Sequence, residues 1–181
     1  MTEKTEQNEI QIQPSGLLEW FAVQARSRHE FKVHEQLLEK GMESFLPTVE
    51  KMRRWKDRNK IVEFPLFSGY LFVHIVRSHL SILTILKTRG VVRILGNIGN
   101  ELIPVPNEQI GLLKKLIEDR TEIDPYPFLK QGERVRIKKG PLAGVEGILV
   151  EKAGRHKVII SVDIIQQSIA ITININDIET A

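Results

Sequence analysis

The sequence predicts an α+β chain: an N-terminal antiparallel sheet flanked by helices, joined by a linker to a small closed β-barrel. Three observations carry that expectation. Strand-like and helix-like segments alternate over the first two thirds of the chain. The period then breaks at residues 119–127, in the stiff stretch Asp124-Pro125-Tyr126-Pro127. After it the chain is rich in Val and Ile, and glycine turns cut it into short strands. The expected divisions are a disordered tail over 1–16, a first domain over 17–118, a linker over 119–127 and a barrel over 128–181.

Each element has its own local reason. Residues 1–16 are polar, without period, and end in Pro14-Ser15-Gly16. Trp20-Phe21-Ala22-Val23-Gln24-Ala25 reads as a buried strand. Ser27-Arg28-His29-Glu30 fits a capping box, with Ser27 as N-cap and Glu30 reaching back. Phe31, His34, Leu37 and Leu38 follow at helical spacing, and Gly41 is a natural stop. Phe45–Val49 and Ile61–Phe64 are expected as antiparallel strands, with residues 51–60 as the loop between them. Tyr70–Val76 is a further strand, Ser78–Lys87 a largely buried helix, Val91–Leu95 a short strand, and 107–119 a helix with Ile110, Leu113 and Ile117 on its apolar face. Five short segments then make the barrel, because so small an open sheet would leave exposed edges. The segments are Lys130–Lys138, Val145–Lys152, Lys157–Ile164, Ser168–Ile173 and a last turn at Ile175–Ile178.

Composition excludes several functions. With no cysteine there is no disulfide, thiolate metal site or cysteine nucleophile. The five histidines have no metal-ligand spacing; His29 and His34 are five apart and do not share a helix face. No glycine loop leads into a helix as a phosphate cradle requires, and no serine sits in a nucleophile elbow. The expectation is a non-enzyme without cofactor, metal or catalytic residues. No apolar run is long enough to span a bilayer, and Met1–Gln13 has no signal-peptide pattern. A cytoplasmic monomer without membrane contact is therefore expected.

Charge points to binding. The chain carries 26 basic and 23 acidic residues, a net +3. Residues 51–60 alone hold six bases and one acid, leaving −2 for everything else. Arg53, Arg54, Lys56 and Arg58 are thus candidate contacts to polyanion, with Trp55 placed to stack on a base. A solvated hairpin tip is the structural alternative. Arg26, Arg28 and Lys32 surround the start of the first helix, while Lys87, Arg89 and Arg93 surround the turn at Gly90; packing on one sheet could join the two groups. The other unusual segment is Phe64-Pro65-Leu66-Phe67-Ser68-Gly69-Tyr70-Leu71-Phe72-Val73, which holds four of the eleven aromatic residues. Alternation puts Tyr70 and Phe72 on one strand face and Leu71 and Val73 on the other, so one face can fill the core and one can meet a partner.

These segments, in this order, resemble the NusG family of transcription elongation factors, from about Leu18 onward. Trp20-Phe21-Ala22-Val23 looks like the family's first strand. Pro65 to Val73 is similar to its Pro-Leu-Phe-Pro-Gly-Tyr signature, and Thr88-Arg89-Gly90-Val91 matches another. Gly140-Pro141-Leu142-Ala143-Gly144-Val145-Glu146-Gly147 looks like the KOW motif of an SH3-like barrel. The resemblance implies that the first (NGN) domain grips the clamp helices of the RNA polymerase largest subunit and suppresses pausing. By position, Trp20, Phe67, Gly69, Tyr70 and Phe72 form that grip. Arg26, Lys32, Thr84, Arg89 and Arg93 fall where specialised members touch non-template DNA in the transcription bubble. Gly140, Pro141, Gly144 and Gly147 belong to the barrel that recruits either termination factor Rho or a small-subunit ribosomal protein.

Two departures matter. Ser68 stands where the family has proline, and Asp163-Ile164-Ile165-Gln166-Gln167 replaces the housekeeping Phe-Gly-Arg loop. The chain looks more like the operon-specific branch that includes RfaH and the regulators of surface-polysaccharide operons. In RfaH the barrel sequence can refold into helices; here Val158–Ile160 and Ile169–Ile175 are so β-branched that a stable barrel is expected. A housekeeping factor coupled to Rho or the ribosome, and a KOW-type RNA-binding protein, are the alternatives. Only the polymerase readings require Phe67, Tyr70 and Phe72 to be partly exposed.

Overall fold

The computed structural model describes residues 16–54, 58–98, 101–119, 121–129, 131–152 and 154–181. Residues 1–15 of the tail expected to be disordered, and Trp55 and Lys56, lie outside these residues.

Period-2 alternation builds the first sheet. Strands β1 (Leu18–Ala25), β2 (Glu43–Phe45), β5 (Tyr70–Val76) and β6 (Val91–Ile94) lie in the order β2-β5-β1-β6, and every pair is antiparallel. β1 and β5 are the long central pair, in register from Leu18↔Val76 to Gln24↔Tyr70. Alternation then splits their side chains between two cores, as the sequence implies. Phe21, Val23, Leu71 and Val73 pack with Val33 and Leu37 of helix α1 (Glu30–Glu39) and Ile85 of helix α2 (His79–Leu86). Trp20, Ala22 and Phe72 pack on the other side with Ile110, Leu113 and Leu116 of helix α3 (Asn107–Glu118). That second cluster continues without a break into the barrel, through Ile123 to Val135, Val158 and Ile169.

Helix α1 corrects the expected cap. Arg28 adopts φ +63°, so the helix begins later and His29, not Ser27, is the N-cap. The Ser27 carbonyl instead pairs with His29 Nδ1 at 3.1 Å. Glu30 reaches away from its own helix, as described below. Gly41, at φ +74°, follows the helix end as expected.

The basic segment is also more ordered than a loop. β3 (Thr48–Arg54) and β4 (Asn59–Pro65) form a separate two-stranded arm, paired from Thr48↔Pro65 to Arg54↔Asn59. Lys51, Arg53, Arg54 and Lys60 therefore lie on strands. Phe45, expected to run on with this pair, belongs to the main sheet opposite Phe72. A short hairpin, β7 (Asn97–Ile98) with β8 (Glu101–Leu102), precedes α3.

The C-terminal strands form one six-stranded sheet in the order β14-β10-β11-β12-β13-β9, curled around Val135, Val158, Ile169 and Ile178. Its members are β9 (Ile123–Tyr126), β10 (Glu133–Ile137), β11 (Glu146–Lys152), β12 (Arg155–Val162), β13 (Gln167–Ile173) and β14 (Ile178–Thr180). Two expectations are corrected here. The stretch taken for a linker supplies β9, which pairs Ile123–Tyr126 against Ile171–Ser168. Its proline hides this in the sequence, but an edge strand tolerates proline because one side needs no N–H. Among the described residues the ladder is not a closed ring either: β14 and β9 remain as short edges, a recognised way to limit edge pairing.

Candidate functional site

The aromatic signature folds as a tight turn between β4 and β5. Tyr70 N–H donates to the Phe67 carbonyl at 3.1 Å, and Gly69 sits at φ +84°, where a side chain is strained. Two outside contacts lock the turn. Ala25 N–H donates to the Gly69 carbonyl at 2.8 Å, and Gly69 N–H donates to Glu30 Oε1 at 2.7 Å. Glu30 is only 4% exposed, so sequence reasoning that made it a helix cap missed its role in the turn. No local signal could have found it, because the donor that Glu30 serves lies 39 residues away.

The structure brings Trp20, Phe67 and Phe72 together but buries them, at 5%, 1% and 0% exposure. Of the aromatic residues in the expected group only Tyr70 is half-buried. The exposure expected of the grip is therefore not met by Phe67 and Phe72, whose rings meet edge to face at 6.4 Å. They form a support beneath Tyr70 rather than an open surface.

Beside them lies a polar-aromatic cluster absent from the sequence reading. His74 stacks on Trp20 at 4.6 Å, and Phe45 meets Trp20 edge-on at 6.3 Å. Lys114 of α3 places Nζ 4.7 Å from the Trp20 ring and 5.6 Å from Phe45. Glu43 joins the two side chains, at 2.7 Å from His74 Nδ1 and 3.5 Å from Lys114 Nζ. The hydrogen bond from His74 chiefly holds the Glu43 carboxyl below its ordinary range, with Lys114 adding to it. Positions 70, 72 and 74 share a strand face, so His74 was placeable from alternation; Lys114 was not.

The two basic groups do meet. Arg26 N–H donates to the Gly90 carbonyl at 2.8 Å, and Gln36 Nε2 donates to the Arg89 carbonyl at 3.2 Å. Arg26, Arg28, Lys32 and Arg89 are exposed around this junction. Thr88 is buried there and accepts from Lys40 Nζ at 2.6 Å. Arg93 lies on β6 and is exposed, with Nε donating to Gln24 Oε1 at 2.8 Å. Thr84 lies on α2 and spends its hydroxyl proton on the Leu80 carbonyl at 2.8 Å, leaving only acceptor capacity for a partner. On the arm, Arg53, Arg54 and Arg58 are exposed, and the Arg53 guanidinium lies 5.0 Å above the Phe64 ring.

In the barrel, Gly140 and Gly144 hold φ +82° and +88° around the turn that carries Pro141 and the buried Leu142. Gly147 has a different reason. A Cβ there would stand 2.5 Å from Val158 Cγ1 and 2.6 Å from the Ile159 carbonyl oxygen, so β11 and β12 can approach only at glycine. The departing loop forms a 3-10 turn at Asp163–Ile165, ended by Gln166 at φ +52°. Ile165 is buried, and Ile164 packs so close to Gly96 that a Cβ there would be 2.7 Å away. Among the described residues no cluster of three or more His, Asp or Glu could hold a metal ion.

Comparison with known proteins agrees with this architecture. Residues 18–114 match the family model described as NusG, transcription termination factor. The chain is 28% identical to the transcription termination/antitermination protein NusG of Staphylococcus carnosus, over 91% of this chain and 96% of that one. The NusG of Staphylococcus aureus is equally similar, at 28% identity over the same shares. Among solved structures, Thermotoga maritima NusG shares the fold at TM-score 0.58 and 18% identity, covering 91% of this chain and 97% of that chain. The matched model spans more than half of the sequence, and the chain belongs to the NusG family of transcription termination and antitermination factors.

Proposed function

We propose that the chain binds the clamp helices of the RNA polymerase largest subunit, suppresses pausing, and acts on specific operons of the surface-polysaccharide type. One observation carries this most directly. Consecutive residues at the end of β1 and just past it bond to both functional elements: Ala25 N–H to Gly69, in the aromatic turn, and Arg26 N–H to Gly90, in the basic turn. An aromatic contact and a row of cations thus share one rim. A protein that holds polymerase with one element and non-template DNA with the next needs that juxtaposition.

In this reading Tyr70 makes the polymerase contact. Phe67, Phe72 and Trp20 shape the ground beneath it, and Gly69 sets its angle. Arg26, Lys32, Arg89 and Arg93 meet DNA, with Thr84 as an acceptor at the margin. The first domain spans 17–118, and the barrel, which takes β9 from the 119–127 stretch, follows it; the protein acts in the cytoplasm as a monomer. The Asp163–Gln167 loop replaces the housekeeping sequence, which favours a barrel partner other than the usual Rho and ribosomal contacts. Transcription in vitro on a paused template, with and without Rho, tests the proposal. The wild-type chain should shorten the pause, and Tyr70→Ala should lose that effect and polymerase pull-down while keeping its far-UV dichroism. Retained pull-down by Tyr70→Ala would sink the clamp-helix assignment.

A further inference from the structure

We propose that His29 reads an unpaired adenine at the junction of the two basic groups, accepting a hydrogen bond from the base's N6 amine at Nε2, with Arg28 on a neighbouring phosphate. This rests on the DNA part of the function proposed above and names the base that part meets.

The turn that carries His29 has an unusual backbone. His29 N–H donates to the Arg26 carbonyl at 3.0 Å, which closes a turn over Ser27 and Arg28. Arg28 holds φ +63° there, a region that an L side chain enters at a cost. Glycine would make the same turn without that cost. Strained backbone of this kind gathers at binding sites, where what it presents offsets the strain. Here it presents exposed Arg26, Ser27 and Arg28, with half-buried His29 behind them.

The His29 ring is fixed on two sides. Nδ1 stands 3.1 Å from the Ser27 carbonyl, which can only accept, so Nδ1 carries a proton. In the neutral ring the free lone pair then belongs to Nε2. The ring also lies against Gly90. A Cβ on that glycine would stand 3.2 Å from His29 Cβ and 3.3 Å from Cδ2, the carbon bonded to Nε2. Among the described residues Nε2 has no hydrogen-bond partner, and no buried side-chain nitrogen or oxygen lacks one, so Nε2 reaches solvent. It does so beside the turn where Arg26 N–H meets the Gly90 carbonyl.

The chemistry around Nε2 selects the ligand. Arg26, Arg28, Lys32 and Arg89 can only donate. Donors alone suit guanine, whose O6 and N7 both accept. An acceptor beside a donor suits adenine instead, which offers N6–H and N7; Asn and Gln read adenine with that same pair. His29 Nε2 supplies the acceptor, and Arg89, exposed next to Gly90, supplies the donor. Guanine would set its O6 lone pair against that of Nε2. The Ser27 hydroxyl can donate or accept and so discriminates nothing. A half-buried ring cannot reach the floor of a duplex groove, whereas an unpaired base can swing out to meet it.

The test is fluorescence anisotropy of the full chain at pH 8, without polymerase, on a single-stranded DNA of TTA repeats. Hypoxanthine in place of every adenine turns the N6 amine into an oxygen and leaves the strand's charge the same. Wild type should bind the adenine strand about tenfold tighter, within the range of one good base contact. His29→Phe, which keeps a ring beside Gly90 but has no lone pair, should bind both strands alike with an unchanged salt slope. Arg28→Gly should lower that slope by about 0.7, one phosphate contact on a single strand, and keep the adenine preference. Equal wild-type affinity for the two strands overturns the proposal, and so does an adenine preference that survives in His29→Phe. A preference of the same size on the duplex form overturns the unpaired base, and an unchanged slope in Arg28→Gly overturns its phosphate contact. Failure to bind either strand overturns the DNA part of the proposed function together with this assignment. Because polymerase is absent, each of these outcomes leaves the Tyr70 assignment standing.

Discussion

Glu30 shows how much a single side chain can decide. Its Oε1 accepts the Gly69 N–H from inside the protein, 39 residues away in sequence. Removing that acceptor leaves a buried N–H without a partner, which costs about 1–3 kcal/mol. Glu30→Ala should therefore lose about that much stability in urea titration, and Glu30→Gln, which keeps a carbonyl acceptor, clearly less. Because the bond also sets the aromatic turn, Glu30→Ala should weaken polymerase binding more than its loss of stability explains. Equal stability of the two variants would show that Gly69 finds another acceptor. The capping-box pattern at Ser27 and Glu30 was legible but misleading: local sequence presents the acid, and only the arriving turn shows which donor it serves.

At the scale of elements, helix α3 is held to the first sheet by more than its apolar face. Lys114 bridges Trp20, Phe45 and Glu43, and an exposed cation–π contact is worth about 0.5–1 kcal/mol. Lys114→Ala should cost about 1 kcal/mol and raise amide exchange along α3 without changing the sheet. The ion pair makes part of this pH-dependent. The Glu43 carboxyl is held below its ordinary value, so the unfolded chain binds its proton more readily. Its contribution is fully present above the unfolded value of about 4.3 and is lost as pH falls through the lower folded value. The stability gap between wild type and Lys114→Ala should accordingly narrow below about pH 4; a constant gap would assign it to ring packing alone. The places of α1, α2 and α3 were readable in the sequence, and so was the split of β5 into two faces. The buried faces were not: α1 buries Val33 and Leu37 and leaves Phe31 and Leu38 exposed, and α2, expected to be largely buried, buries only Ile85. The arm's true length was not. Charged residues such as Lys51 and Arg53 depress strand propensity, and cross-strand pairing overrides it.

For the whole molecule, the stretch at 119–127 changes what counts as the second unit. Ile123 is 6% exposed in the cluster that joins α3 to the barrel, and Lys157 Nζ reaches Asp124 Oδ2 at 3.1 Å. A fragment of residues 121–181 keeps β9, and one of 128–181 loses it. Both should show a strand spectrum by circular dichroism, but the shorter one should be less stable by about 2 kcal/mol or more, since burying one isoleucine alone contributes about 1.5–3 kcal/mol. A helical spectrum in either fragment would overturn the expectation of a stable barrel; equal stability would make β9 a passenger.

The sequence by itself determined the alternation that separates Tyr70 and Phe72 from Leu71 and Val73, the places of the helices, the glycine turns of the barrel and the family signatures. These are short-range properties, set by backbone sterics and by which face of an element is apolar. Only the tertiary structure decided that Glu30 serves Gly69, that Arg26 meets Gly90, that Pro125 lies in a strand, and that Phe67 and Phe72 are buried beneath Tyr70. The reason is that a polar group or an edge strand takes whichever partner the fold delivers, and that partner is remote in sequence.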